Sequence, residues 1–276
     1  MKIAIASGKG GTGKTTLAVA LAQAAGKAVH LLDCDVEAPN ANLFLKGAFV
    51  RQRLVTMPVP VVDETKCVGC GACSSFCAFQ ALVVLGARPV VSYDLCHGCG
   101  GCKRVCPQKA IYETPHRLGT VETFSAGSIT ITQGTLDIGA ALATPLIRDL
   151  KKGAVDDLIV IDAPPGTSCP VVAALKEVDF VLLVTEPTPF GLNDLRLAVD
   201  VVRALGLPFG VVVNRAHEAD AFVQPYLTQQ RIALLATIPD DPRIARAYAE
   251  GIPLLDALPA YKAVFSGLLH KIREAT

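Results

Sequence analysis

At 276 residues the chain has room for one large α/β domain, or for a core domain carrying a small module. Hydrophobic residues make up 51% and charged residues only 18%, which excludes a disordered or low-complexity binder. With 26 Lys and Arg against 25 Asp and Glu, the formal charge is +1; no global electrostatic footprint for nucleic acid or anionic lipid exists, and neither is expected as a partner.

The outer parts of the chain alternate short apolar runs with periodic segments. Lys2–Ala6 reads as a buried strand, followed by a glycine loop and a helical stretch over Thr15–Ala25. Val29–Asp33, Leu158–Asp162, Phe180–Thr185 and Val211–Asn214 read as further strands, with helical periodicity over Val171–Val178 and Asn193–Leu205. Strands that are apolar throughout, alternating with helices, predict an α/β fold with a mostly parallel sheet covered by helices on both faces. No apolar run approaches the ~20 residues that span a bilayer, and the opening residues do not read as a signal peptide, so a cytoplasmic location is expected.

The loop after the first strand reads GKGGTGKTT over Gly8–Thr16, a complete phosphate-binding loop between a strand and a helix. Its glycines, Gly8, Gly10, Gly11 and Gly13, let the backbone N–H groups of the loop, with those of Thr12 and Thr16, converge on phosphate oxygens of ATP or ADP. The positive end of the following helix adds to the attraction. Lys14 is expected to bridge the β- and γ-phosphates, and the Thr15 hydroxyl to ligate Mg²⁺. At Leu158–Asp162 an apolar strand ends in an acid, the placement that lets Asp162 hold Mg²⁺ through water.

The second lysine of the loop makes the pattern more specific. GKGGTGKTT resembles the deviant Walker A loop of the MinD/ParA/Mrp ATPases, a group related to the nitrogenase iron protein. The resemblance implies ATP hydrolysis and a dimer formed on ATP binding, either of two identical chains or with a similar paralogue, in which Lys9 reaches the partner's phosphates. Asp33-Cys34-Asp35 resembles the first switch of that family, which gives Asp35 the role of positioning the attacking water, a task a carboxylate at a strand end can chemically perform; the lesser alternative is a surface turn acid capping the next segment. Ala163–Thr167 resembles the second switch. Val211–Arg215 and Ile238–Asp241 resemble the segments around the adenine base, which implies base contacts for Asn214, Pro239 and Asp241; otherwise Asn214 is a turn residue at a strand end.

Between Asp63 and Thr114 the rhythm changes. Eight of the ten cysteines fall here, in two copies of C-x2-C-x2-C-x3-C: Cys67, Cys70, Cys73, Cys77, then Cys96, Cys99, Cys102, Cys106. Each copy is followed by Ala and an aliphatic residue, Ala81-Leu82 and Ala110-Ile111. In a reducing compartment such thiols are metal ligands before they are disulfides. Zinc is the competing metal, although it usually takes two separated C-x2-C pairs. The segment resembles a bacterial two-cluster 4Fe–4S ferredoxin, departing from it by Ala78 where a proline usually follows the fourth cysteine. In that pattern the fourth cysteine of each copy serves the other cluster. Carried over, one cluster takes Cys67, Cys70, Cys73 and Cys106, and the other takes Cys96, Cys99, Cys102 and Cys77.

Of the remaining thiols, Cys34 lies between two acids, and Cys169 is expected to be a small packed residue. His97, inside a cysteine loop, is expected beside a cluster or facing solvent. Residues Thr120–Gly139 read as a hairpin. A terminal helix over Ala260–Ile272 is expected to pack on the sheet through Val264, Leu268, Leu269 and Ile272.

The whole chain resembles MinD-type P-loop ATPases that carry an inserted ferredoxin. The resemblance implies a P-loop ATPase domain over 1–62 and 115–276, and a small α+β ferredoxin-like domain over 63–114. It further implies two 4Fe–4S clusters, ATP and Mg²⁺ as cofactors, and a redox or iron–sulfur client protein. The leading reading is an ATPase whose nucleotide state governs electron transfer. The alternative is an iron–sulfur cluster assembly or carrier ATPase of the Mrp type.

Overall fold

Unbroken apolar runs need cover on both sides, and the strands they form have it. The computed structural model describes residues 1–86, 88–154, 156–217 and 222–276. Its first half contains β1 (Lys2–Ala6), α1 (Lys14–Ala24), β2 (Val29–Asp33), α2 (Ala41–Leu45), β3 (Ala48–Val62), α3 (Ala72–Phe76), β4 (Leu82–Leu85), β5 (Arg88–Val91), α4 (Gly101–Val105), β6 (Ile111–Ala126) and β7 (Ile129–Leu136). There follow α5 (Ala143–Lys151), β8 (Ile159–Asp162), α6 (Cys169–Leu175), β9 (Phe180–Thr185), α7 (Pro189–Ala204) and β10 (Phe209–Ala216). The chain closes with α8 (Val223–Gln230), β11 (Leu234–Pro239), α9 (Pro242–Ala249), α10 (Leu254–Ala257) and α11 (Lys262–Glu274).

The chain divides into two compact units, 1–52 with 121–135 and 147–276, and 53–120 with 136–146. The first is built on a sheet ordered β11-β10-β9-β1-β8-β2-β7-β6-β3. The pairs from β11 through to β7 are all parallel. In β1, Ile3 and Ile5 join one apolar cluster with Leu31, Val160 and Leu182, while the alternate Ala4, Leu32, Ile161 and Leu183 are equally buried. Alternate side chains of a strand point to opposite faces, so both faces of the centre are dry. The expected hairpin is β6–β7, which turns at Gly127 and Ser128.

Helix α1 is buried over Leu17–Ala22 without a break, as a helix covered on most sides should be. Helix α11 packs into the same cluster through Phe265, Leu268, Leu269 and Ile272. Here the expectation needs correcting: Val264 lies at the exposed margin, and Phe265 takes its place in the core. The aromatic ring, one position on, completes the i, i+3, i+4, i+7 stripe. Among the described residues, no helix is long and apolar enough to cross a membrane.

Register sets the site. Asp162 on β8 stands beside Ile5 on β1 and Asp33 on β2, so the carboxyl ends of three adjacent strands finish level. The chain leaves β1 on one side of β8 and β2 lies on the other, and it is at such carboxyl edges that parallel sheets open a crevice.

The second unit contains the antiparallel pair β4–β5 and the short helices α3 and α4. It has two small apolar clusters of its own, one around Met57, Val59, Ala81 and Leu118, the other around Leu82 and Ile111. Its extent along the chain exceeds 63–114 because it also takes in strand residues of β3 and β6 and the segment 136–146.

Candidate functional site

The loop after β1 is held by its glycines. Gly13, which precedes α1, has φ +93°, a left-handed conformation that favours glycine, and a Cβ there would collide with the Asn214 side chain. Asn214 Nδ2 donates to the Thr12 carbonyl at 2.8 Å, tying the end of β10 to the loop. At the other end of the loop, a Cβ on Gly8 would run into the backbone of Asp194 in α7. No side chain caps α1, so its first N–H groups are free for an anion. The Thr12 hydroxyl is likewise buried without a partner among the described residues.

A cleft of about 300 Å³ opens beside the loop. It brings Gly10, Gly11, Gly13, Lys14, Thr15 and Thr16 together with Asp35 and with Asn214, Pro239 and Asp241 from the far end of the chain. Arg215, Ile244, Tyr248 and Leu254 line it too, and the sequence reading missed them. The last three belong to α9 and α10 and carry no motif; only helical periodicity near the expected base segment marks them.

Lys14 is buried, with Nζ donating to Ser7 Oγ at 3.0 Å and to the Lys9 carbonyl at 3.5 Å. Burial lowers its pKa, while Asp162 and Asp35 pull in the opposite direction. The Thr15 hydroxyl donates to Asp162 Oδ2 at 2.5 Å. Asp162 is 1% exposed, and burial beside Asp33 pushes its carboxyl up to about 8. Its Oδ1 has no hydrogen-bond partner among the described residues. A buried carboxylate with an orphan oxygen, next to a hydroxyl and a second acid, is a donor set that fits a hard divalent cation such as Mg²⁺.

The two acids of the loop after β2 have different tasks. Asp33 accepts from the backbone N–H groups of Asn40 at 2.8 Å and Ala41 at 2.9 Å through Oδ2, and from that of Asp35 at 3.1 Å through Oδ1. It organises the loop, and burial raises its carboxyl to about 6 despite those bonds. Asp35 lines the cleft instead, its pKa raised by burial and lowered in part by Lys14.

Lys9 does not line the cleft. Its Nζ lies 2.9 Å from Glu186 Oε2, and Arg215 holds the other oxygen of the same carboxylate at 2.6 Å. Asp241 caps α9, accepting from the Arg243 N–H at 2.9 Å, and its carboxylate is further bound by the Arg243 guanidinium and the Tyr261 hydroxyl. Arg243 holds that acid down to about 2.

In the second unit the two cysteine loops repeat one backbone. Gly69 and Gly71 in the first copy, and Gly98 and Gly100 in the second, all have φ between +61° and +75°. One cavity is lined by Cys67, Cys70, Cys73 and Cys106, with Val62, Val84 and Ile111 as apolar wall. The other is lined by Cys77, Cys96, Cys99 and Cys102, with Phe76, Phe79 and Leu82. All ten cysteines of the chain are free thiols. Ala110 N–H donates to Cys106 Sγ at 3.3 Å and Gly98 N–H to Cys96 Sγ at 3.5 Å. Burial raises the Cys73, Cys96 and Cys102 thiols, and their thiol neighbours add to the shift: Cys106 and Cys67 for Cys73, Cys99 and Cys77 for Cys96.

Among the described residues, no three His, Cys, Asp or Glu side chains lie close enough to hold a single metal ion. A four-iron cluster makes a different demand, because its thiolates bind separate irons and so ring a cavity. The donor set of each cavity, four cysteines and little else that is polar, fits such a cluster.

His97 stacks on Phe79, ring centroids 3.6 Å apart, at the margin of the second cavity. The expectation for Cys169 is overturned: it is exposed at the start of α6, because that residue lies on the loop side of the helix N-terminus rather than on the buried face formed by Val171, Ala174 and Leu175. Cys34 is fully buried, and burial among carboxylates pushes its thiol strongly up.

Residues 3–254 match the CobQ/CobB/MinD/ParA nucleotide-binding domain. Over 260 residues the chain is 32% identical to protein MJ0579 of Methanocaldococcus jannaschii, covering 91% of this chain and 90% of that one. Over 106 residues it is 33% identical to an iron–sulfur cluster carrier protein of Rickettsia felis, 37% of this chain and 33% of the carrier. The cell division ATPase MinD of Pyrococcus furiosus shares its fold with a TM-score of 0.61 at 24% identity, over 100% of this chain and 99% of that one.

Proposed function

This chain belongs to the CobQ/CobB/MinD/ParA nucleotide-binding family, and from that premise we propose that it is a Mg²⁺-dependent ATPase whose nucleotide state is coupled to electron transfer through two 4Fe–4S clusters. One observation carries the redox half. Each cysteine cavity takes three thiols from one copy of the repeat and the fourth from the other. That crossing is the arrangement a two-cluster ferredoxin requires, and a pair of independent zinc loops has no need of it. Residues 63–114 are the ferredoxin-like insert in this reading, and 1–62 with 115–276 the ATPase.

The chain's own groups divide the work on ATP. The loop amides and the free N-terminus of α1 receive the phosphates. Lys14 neutralises the β- and γ-phosphates, Thr15 and Asp162 hold Mg²⁺, and Asp35 orients the attacking water at the cleft. Asn214, Pro239 and Asp241 flank the base. Lys9 reaches the nucleotide of a second chain, identical or a similar paralogue. The clusters, when bound, supply one-electron transfer to a client protein in the cytoplasm.

The match to the Rickettsia felis carrier favours a second reading, assembly or delivery of iron–sulfur clusters. Two complete four-cysteine sites speak for retained clusters and thus for the first. The deciding measurement is the midpoint potential of each cluster with and without a non-hydrolysable ATP analogue, paired with nucleotide affinity at controlled potential. Coupling of ~1–3 kcal/mol is the usual size for linked sites, and linkage makes the two shifts equal. Potentials and affinities that ignore each other, with iron passing to an apo-acceptor, would overturn the redox reading in favour of the carrier.

A further inference from the structure

The Glu186 carboxylate stands between a lysine of the phosphate loop and an arginine of the cleft, Lys9 on Oε2 at 2.9 Å and Arg215 on Oε1 at 2.6 Å. The side chain of the acid is 13% exposed, against 33% for Lys9 and 56% for Arg215. The acid is therefore the fixed member and the lysine the movable one.

The backbone around Glu186 explains why it stays put. It follows Thr185, the last residue of β9, whose hydroxyl donates to the Gly191 carbonyl at 2.9 Å. Thr188 N–H donates to the Glu186 carbonyl at 2.8 Å, and Gly191 N–H donates to the Thr188 hydroxyl at 2.9 Å. A Cβ on Gly191 would collide with the Glu186 carbonyl oxygen, so the turn is also close-packed. On the other side, Arg215 directly follows Asn214, which is bonded to the phosphate loop.

Lys14 already serves the local site, so nothing in this chain calls Lys9 to its own phosphates. In the observed geometry Lys9 is committed to an acid of its own chain. We infer that Glu186 is a positioning residue, an intramolecular clamp that withholds Lys9 until a partner's triphosphate outcompetes it. This inference rests on the proposed action of Lys9 on a second chain's nucleotide. Arg215 remains on Glu186 after the exchange, so the acid is not left bare when the lysine departs. A triphosphate with several charges in a desolvated interface is a stronger partner than one carboxylate already shared with Arg215, whereas a diphosphate offers less. The clamp thereby sharpens the difference between the two nucleotide states.

Glu186→Gln keeps the shape and removes the charge. Two readouts test the clamp. The first is the rate at which an amine-acylating reagent modifies Lys9 in the nucleotide-free chain, followed by mass spectrometry. The clamp predicts a rate roughly two- to fivefold higher in E186Q, the size of a partly exposed ion pair, with acylation of Lys27 unchanged. The second is the concentration of non-hydrolysable ATP analogue at which sedimentation shows half the chains dimeric. It should fall by a similar factor in E186Q, and a K9A/E186Q double variant should behave as K9A alone. Equal Lys9 acylation in the two proteins overturns the clamp even if both dimerise. A dimerisation shift that persists without Lys9 assigns Glu186 a merely structural role and overturns it as well. A wild-type chain that acylates as predicted but never dimerises overturns instead the action of Lys9 on a second chain, and with it the gating role.

Discussion

The Thr15 hydroxyl donates to Asp162 Oδ2 at 2.5 Å, joining the first turn of α1 to the end of β8 across 147 positions of sequence. Two groups that Mg²⁺ would share are thus already in contact, and the charge that draws the carboxylate down, against its burial, is that of Lys14. Burial pushes Asp162 up to about 8 and Asp33 to about 6, from an ordinary 3.8.

A pH dependence follows from the sign of those shifts. Both acids keep protons in the folded chain at pH values where the unfolded chain has released them. Stability of the Mg²⁺-free protein should therefore fall as pH rises from about 4 to about 8, and level off above. Mg²⁺ with ADP takes the place of the protons, so its stabilising effect should be larger at pH 8 than at pH 6. Thermal melts with and without Mg²⁺ and ADP check this. Asp162→Asn should flatten the fall between pH 6 and 8 and abolish most of the Mg²⁺ response; a D162N protein as Mg²⁺-responsive as wild type would remove Asp162 from the cation site.

The two lysines of the loop should fail differently. Lys14→Ala is expected to lower kcat/KM for ATP by roughly 10²-fold or more, the usual loss for a charge aimed at the transferring phosphoryl group. Lys9→Ala should abolish ATP-dependent dimerisation while ADP affinity and iron content stay unchanged, since its ammonium lies outside the cleft. Sedimentation and steady-state hydrolysis of both variants test the distinction. K9A with normal ATP-dependent dimers would end the assignment of Lys9 to the partner's site.

Cys77 and Cys106 should each act on the cavity of the other repeat. Anaerobically prepared wild type is expected to hold about eight iron and eight sulfide per chain, and Cys106→Ser or Cys77→Ser about half of that, or altered clusters in place. EPR of the reduced proteins should then show the C106S variant matching a variant of Cys70, and C77S matching a variant of Cys99. If C106S instead matches Cys99 variants, the crossed ligand sets are wrong. Stoichiometric zinc without visible absorbance would reject clusters altogether.

Asn214 should matter through the loop as well as through the base. Asn214→Ala removes the donor to the Thr12 carbonyl. Loss of one buried partner costs about 1–3 kcal/mol, which is roughly five- to 150-fold in an equilibrium that needs the loop in place. Calorimetric titration with ATP and with GTP should show both affinities falling. A loss confined to ATP would mean that the side chain only reads the base.

What the sequence determined by itself is local chemistry. A glycine loop between an apolar strand and a helix, an acid at the end of a buried strand, and two cysteine triplets with a trailing fourth are legible because each function needs residue types at fixed short spacings. The central strands were legible for a related reason: a strand buried on both faces has to be apolar throughout. Long β3 was not, since Ala48–Leu54 is exposed and carries Arg51 and Arg53, so burial imposes no pattern there.

Tertiary structure decided everything that depends on which distant residues meet. Level registry of β1, β2 and β8 puts Thr15 against Asp162. The return of α9 and α10 brings Tyr248 and Leu254 to the nucleotide cleft, and the β9–α7 turn carries Glu186 to Lys9. None of these pairs is encoded by spacing, because the free energy that selects them comes from burying the sheet's two faces as a whole. The same packing set which turn of each helix faces the sheet: it left Cys169 exposed at the head of α6 and buried Phe265, in phase with Leu268, Leu269 and Ile272, in place of Val264.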